Sequence, residues 1–248
     1  MKKYIGIYWL LIMLVMLCGS CAVYPQEQVR SGPQDDVKSY VQVQQLSETN
    51  KEKVVLSNVP FIKQLPELRR GCEVTSLAMV LQTAGVQTDK MKLASEIQKV
   101  PFMIGNKHGN PHKGFVGNMY TYAKPGYGAY HKPIYELAKR YLGERAVDLT
   151  GTNMETLYAA LQNGSPVLVI TNSTFKLLPE HKFQIWETEQ GPVRITYHEH
   201  SVVMTGFDSE NVYIHNPLRS TPHMAVPKRD FEIAWEQMGK QAISYKVK

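Results

Sequence analysis

Residues 197–217 read YHEHSVVMTGFDSENVYIHNP, and this stretch decides the fold. Ser201–Phe207 is apolar enough for a buried strand, Asp208-Ser209-Glu210-Asn211 is a turn sequence, and Val212–His215 reads as the returning partner. A hairpin follows. It sets the start of one strand beside the end of the other, so His200 and Asn216, 16 residues apart, become neighbours in space. An imidazole oriented by a side-chain amide is a known arrangement for activating a nucleophile.

Working outward, Val167–Thr171 (VLVIT), Phe183–Glu187 and Val193–Tyr197 read as further strands, and Ala242–Val247 as the last. VVLSNVPFI, from Val54, reads as a short strand. Leu77, Val80, Leu81 and Ala84 recur at helical spacing and predict an amphipathic helix over Glu73–Ala84, ended by Gly85. A second helix is predicted over Asp89–Lys99 with Thr88 as its N-cap, and a third over Ile134–Leu142. Thr152-Asn153-Met154-Glu155 is a capping box that opens a helix to Leu161, closed by Asn163-Gly164. Phe231, Ala234, Trp235 and Met238 mark a short helix. Between 101 and 133 lies a long stretch dense in Gly, Pro, Tyr and His, read as a cleft-lining loop. Helices followed by antiparallel strands imply an α+β fold, with an N-terminal helical part packed on a C-terminal antiparallel sheet.

The chain has 248 residues, 43% hydrophobic and 20% charged, which fits one well-filled domain. Its net charge of +6 comes without an arginine-rich run or a basic–aromatic array, so no nucleic-acid partner is expected. Residues 1–21 carry two lysines, an apolar run from Ile5 to Leu17 and then small residues, the pattern of an export signal. Cys18-Gly19-Ser20-Cys21 reads as a lipobox with Cys21 as the lipidated residue, although Cys18 stands where leucine is usual. A plain secretory signal is the other reading. Residues 22–53 are polar and aperiodic, a disordered tether, and the domain proper is 54–248. The expectation is an exported monomer, either secreted or held at the outer face of the cell membrane by its N-terminal lipid.

Outside the leader the only cysteine is Cys72, in RRGCEVTSLA (69–78). A helix N-terminus and Arg69 and Arg70 favour its thiolate, and Glu73 opposes it. Cys72 and His200 are 128 residues apart, close to the roughly 130 to 150 of papain-like enzymes. Gln64, eight residues before Cys72, can offer an amide to an oxyanion hole with the Cys72 N–H. The plainer reading is a core-filling cysteine and a loop glutamine. Tyr127, Tyr130 and Trp186 read either as a substrate groove or as packing aromatics. His198 and His200 form an H-x-H pair, but no HExxH or paired-cysteine pattern accompanies it, so no metal and no cofactor are expected. His108, His112, His131 and His215 read as loop hydrogen-bonders or cleft residues.

VPFIKQLPELRRGCEVTSLAMVL, HSVVMTGFD and VYIHNP together resemble the papain-like peptidases that remove double-glycine leaders in bacteriocin-exporting transporters. The resemblance is closer to their stand-alone secreted relatives, the C39-like peptidases, which share segments similar to GNPHKGFVGN and GYGAYHKP. It covers the chain from about Val54 onward. It implies a papain-like fold and a peptide or protein substrate, with Cys72 as nucleophile, His200 as base, Asn216 as orienter and Gln64 as oxyanion donor. Family members commonly carry aspartate where Asn216 stands, and transporter-type members a small residue where Glu73 stands. A cell-wall amidase or transpeptidase working through the same thioester, and an inactive surface binding module, are the alternatives.

Overall fold

A computed structural model describes residues 53–247. The leader, its lipidation site at Cys21 and the tether up to residue 52 lie outside the described residues. In chain order the first elements are β1 (Val54–Val55), α1 (Cys72–Thr83), α2 (Lys90–Glu96), β2 (Lys99–Val100), β3 (Met103–Ile104), β4 (Lys107–His108), β5 (Phe115–Val116) and α3 (His131–Leu142). There follow β6 (Ala146–Asp148), α4 (Met154–Gln162), β7 (Val167–Asn172), β8 (Gln184–Thr188) and β9 (Gly191–Ile195). The chain closes with β10 (Glu199–Phe207), β11 (Asn211–His215), β12 (Met224–Pro227), α5 (Lys228–Gln237) and β13 (Gln241–Tyr245).

The main sheet is antiparallel, in the order β12-β11-β10-β7-β13-β6, with β1 paired to the far end of β10. Side chains alternate across it. Val203, Leu168, Ile170 and Ile243 face the core shared with α1, α2 and α3, whereas Val202, Met204, Val169 and Ala242 face the core shared with α4 and α5. Both faces are therefore covered, and all six residues of β7 are buried. This explains why VLVIT is apolar without alternation. The α+β expectation holds, with one addition: helices also pack on the second face of the sheet, because Phe231 and Trp235 of α5 are wholly buried there.

α1 runs through the interior rather than along the surface. Every residue from Cys72 to Leu81 is buried, so the helix is enclosed on all sides and not amphipathic as its leucine spacing predicts. Two of its hydroxyls turn back one helical turn: Thr75 Oγ1 donates to the Gly71 carbonyl at 2.7 Å and Thr83 Oγ1 to the Met79 carbonyl at 2.8 Å. Gly71 stands just before the helix because a Cβ there would come within 2.6 Å of the Leu68 side chain. Leu68 itself is fully buried, worth about 2 kcal/mol of apolar transfer.

Several boundaries differ from the sequence expectations for local reasons. Asp89, not Thr88, caps α2, accepting from the Met91 and Lys92 N–H groups at 2.7 and 2.9 Å, and Lys99 leaves the helix for β2. Asn153 caps α4, its Oδ1 accepting the Thr156 N–H at 3.1 Å. VVLSNVPFI pairs through Val54 and Val55, with the Leu56 N–H donating to the Thr205 carbonyl at 2.8 Å, and then leaves the sheet.

The β10–β11 register is what positions the site. Val203 pairs with His215 and Met204 with Ile214, but Gly206 pairs with Tyr213, so an extra residue bulges between them. Extending the unbulged register sets Asn216 level with Val202. His200, two residues back on the same face, then meets Asn216 along a diagonal.

Candidate active site

His200 is 2% exposed and Asn216 4%. His200 Nε2 lies 2.9 Å from Asn216 Oδ1. The same Oδ1 accepts the Leu218 N–H at 3.1 Å, and a backbone donor can only be met by the oxygen of the amide, so the orientation of Asn216 is fixed. Nε2 of His200 must then carry the proton, and Nδ1 is left as a bare acceptor. Burial drives the His200 pKa down to about 4, against an upward pull from Asn216. The imidazole is neutral at physiological pH.

Cys72 is the first residue of α1 and is buried. Its sulfur lies against β10 on either side of His200, taking a backbone hydrogen bond from Ser201 and feeling the charge of Glu199. The thiol donates to Glu73 Oε2 at 3.3 Å, and no hydrogen bond joins it to His200 among the described residues. Burial raises the thiol pKa well above its usual value, with Glu73 and then Glu199 pushing the same way. The expected thiolate at the helix N-terminus is thus overridden. Thiol and imidazole are both neutral, and the resting state is not a preformed ion pair.

Gln64 is 2% exposed. Its N–H donates to the Pro217 carbonyl at 2.9 Å, which ties it to the turn carrying Asn216. Its Oε1 is sealed from water without a hydrogen-bond partner. Lys90 Nζ donates to the Gln64 and Lys63 carbonyls at 3.0 and 2.6 Å and pairs with Glu67 at 2.7 Å, so one lysine fixes this segment.

Two glutamates complete the surroundings of the thiol. Glu73 is fully buried, and its Oε1 accepts the Ala129 N–H at 2.7 Å. Glu199 approaches from β10, and one oxygen of each carboxyl lies within 4.8 Å of the other and of Cys72 Sγ. Gly128 makes room for both: a Cβ there would stand 2.6 Å from Glu73 Oε1 and 2.8 Å from Glu199 Oε2. Burial lifts Glu73 to about 7 and Glu199 well above the carboxylate range.

A model described as the Peptidase_C39 like family matches residues 56–243. The chain belongs to that family. It is 45% identical over 179 residues to the uncharacterized protein YvpB of Bacillus subtilis strain 168, covering 72% of this chain and 70% of that one. It is also similar to the crystal structure of a candidate C39-like peptidase from Bacillus anthracis. There the TM-score is 0.79 and the identity 58%, over 80% of this chain and 99% of the other.

Around this C39-like site the aromatic residues pack rather than line an open groove. Tyr127, Tyr130 and Trp186 are 6%, 5% and 3% exposed. Trp186 stacks on His108 with ring centroids 4.2 Å apart, and the Tyr127 and Tyr130 hydroxyls lie 3.1 Å apart. Tyr130 Oη donates to the Arg194 carbonyl at 2.9 Å. Tyr130 does border an open cavity of about 520 Å³, with His112, His131 and Gln241, but none of Cys72, His200, Asn216 or Gln64 lines it. His131 is committed to Asp148 at 2.7 Å, and His215 packs edge-on against Phe61 and His223. The H-x-H pair gathers no further ligands; the close donor cluster among the described residues is Cys72, Glu73 and Glu199, without a histidine.

Glu199 is the residue that the sequence reading passes over. Its signal was a charged side chain beside His200, directly before an apolar strand, on the face opposite to the imidazole.

Proposed function

We propose that this C39-like domain is a cysteine peptidase, with Cys72 as nucleophile, His200 as general base, Asn216 as orienter and Gln64 as oxyanion donor. The observation that carries the reading is the His200–Asn216 pair, buried, fixed in tautomer, and set on the strand against which the Cys72 sulfur lies. Nδ1 of His200 takes the thiol proton as the sulfur attacks an amide carbonyl. The developing oxyanion is met by the Cys72 N–H and the Gln64 amide, whose oxygen has no internal partner to hold it elsewhere. The leaving amine takes the proton back from His200, and water then hydrolyses the thioester.

The substrate is a peptide or protein outside the cell. Support for export is the sequence of residues 1–21, with lipid on Cys21 and residues 22–53 as the tether. Metabolic labelling with a fatty acid tests this part: label should enter the full chain and be lost in Cys21→Ala.

The enzyme reading is tested with iodoacetamide and a peptide mixture. Cys72 should be alkylated near neutral pH, and His200→Ala should slow alkylation severely. Incubation with peptides should leave an acyl group on Cys72, visible by mass after an acid quench. Alkylation indifferent to His200, with no acyl adduct on any substrate, would sink the reading. Transfer of the trapped acyl group to an added amine rather than to water would make the enzyme a transpeptidase.

A further inference from the structure

We infer that Glu73 and Glu199 are positioning residues that hold the Cys72 thiol protonated until substrate arrives, resting on the reading of Cys72 as the nucleophile. The geometry is specific. The thiol proton goes to Glu73 Oε2, not to His200, while the other Glu73 oxygen is held by the Ala129 N–H. Glu73 is therefore an acceptor at both oxygens, the pattern suited to a carboxylate. Glu199 has the complementary pattern: its Oε1 is buried without a partner, which a neutral acid tolerates and an anion does not. Two carboxyls this close, over a glycine that leaves no space for anything else, cannot both ionise cheaply, so Glu199 keeps the proton. The remaining negative charge sits on Glu73, against the sulfur.

The groups facing the pair leave this charge uncompensated. They are Cys72 from α1 and Tyr127 and Tyr130 from the segment before α3; His200, next to Glu199 on β10, projects from the other face of the strand. Neither carboxyl forms an ion pair with lysine or arginine among the described residues. The direction of the shifts agrees, both carboxyls rising through burial and the thiol rising through burial and their charge.

The consequence is a guarded nucleophile. The thiolate, not the thiol, is what electrophiles and oxidants attack, and an exported domain whose described residues hold Cys72 as a free thiol meets both. Transfer of the thiol proton to the unprotonated Nδ1 of His200 when substrate binds takes it out of the hold of Glu73 and releases the sulfur for attack. No other bond changes.

The test is the pH profile of iodoacetamide alkylation of Cys72 in the whole domain, with His200→Ala alongside. Glu73→Gln keeps the acceptor for Ala129 and removes the charge. It should lower the midpoint by about one pH unit or more, which is about tenfold in rate at a fixed pH below it. Glu199→Gln replaces a neutral acid with a neutral amide and should leave the midpoint where it is, and Glu73→Ala serves as the second variant if Glu73→Gln does not fold. A midpoint unmoved or raised in the folded Glu73 variant overturns the inference while His200-dependent alkylation leaves the enzyme reading standing. Loss of the His200 dependence itself would strike the enzyme reading instead.

Discussion

The two sides of β10 solve the same problem differently. On one side His200 and Asn216 are buried and bonded to each other, Asn216 Oδ1 accepting from both His200 and the Leu218 N–H, and the pair is neutral. On the other, Cys72 and Glu73 are buried and Glu199 half-buried, with one Glu199 carboxyl oxygen sealed without a partner and carboxyls that titrate far from their usual range. A single residue of strand separates the two sets, because side chains alternate across a sheet. The difference teaches that this site separates the base from the device that keeps the nucleophile protonated. Breaking either side should give a distinct signature.

The largest effect is expected on the His200 side. His200→Ala removes the proton acceptor and should slow Cys72 alkylation, and any peptide cleavage, by about a thousandfold. The measurement is the second-order rate constant at neutral pH. A loss of only severalfold would mean that Glu73, which already holds the thiol proton, is the working base.

The second effect, on the glutamate side, is on stability and has a definite sign. Glu73 is raised from 4.5 to about 7 in the fold, so its contribution is fully present below pH 4.5 and is lost as pH rises through 7. That shift corresponds to about 3 kcal/mol. His200 runs the other way: lowered from 6.5 to about 4, its contribution is present above pH 6.5 and is lost as pH falls through 4. The two oppose each other between these limits and flatten the wild-type profile. Glu73→Gln should unmask the His200 trend, gaining about 3 kcal/mol on wild type between pH 4.5 and 8. Urea midpoints at the two pH values decide it, and an equal offset at both would remove Glu73 as a titrating group.

The same contrast explains what could be read from the sequence. The hairpin was legible because its turn residues and apolar runs are local, and the neighbourhood of His200 and Asn216 follows from pairing alone. The bulge between Met204 and Gly206 was not: its one local sign, an isolated glycine in a strand, serves equally for a close backbone approach, and Gly206 also makes room for the Val54 carbonyl of β1. The helix at Cys72 was legible from spacing, but its burial on every side depends on α2, α3 and the sheet arriving from far along the chain. Glu73 was visible as an odd neighbour for a nucleophile. Its partner Glu199 lies 126 residues away, and the glycine that admits both is in a third segment, so only the fold joins them.

The smallest effect sharpens the neutral side. Asn216→Asp replaces a neutral orienter with a charge at 2.9 Å from Nε2, in a setting where burial alone holds the imidazole near pKa 4. An adjacent carboxylate favours imidazolium, so the His200 pKa should rise by about one unit or more, seen in the imidazole proton shifts across a pH titration. The Leu218 N–H still meets an oxygen, so the geometry should survive. A raised imidazole pKa makes His200 a stronger base, and alkylation of Cys72 at neutral pH should quicken severalfold. If the pKa rises but the rate does not, proton acceptance by His200 is not what limits the thiol. The hold of Glu73 on it would then be the dominant restraint, and combining Asn216→Asp with Glu73→Gln should release the rate that neither change gives alone.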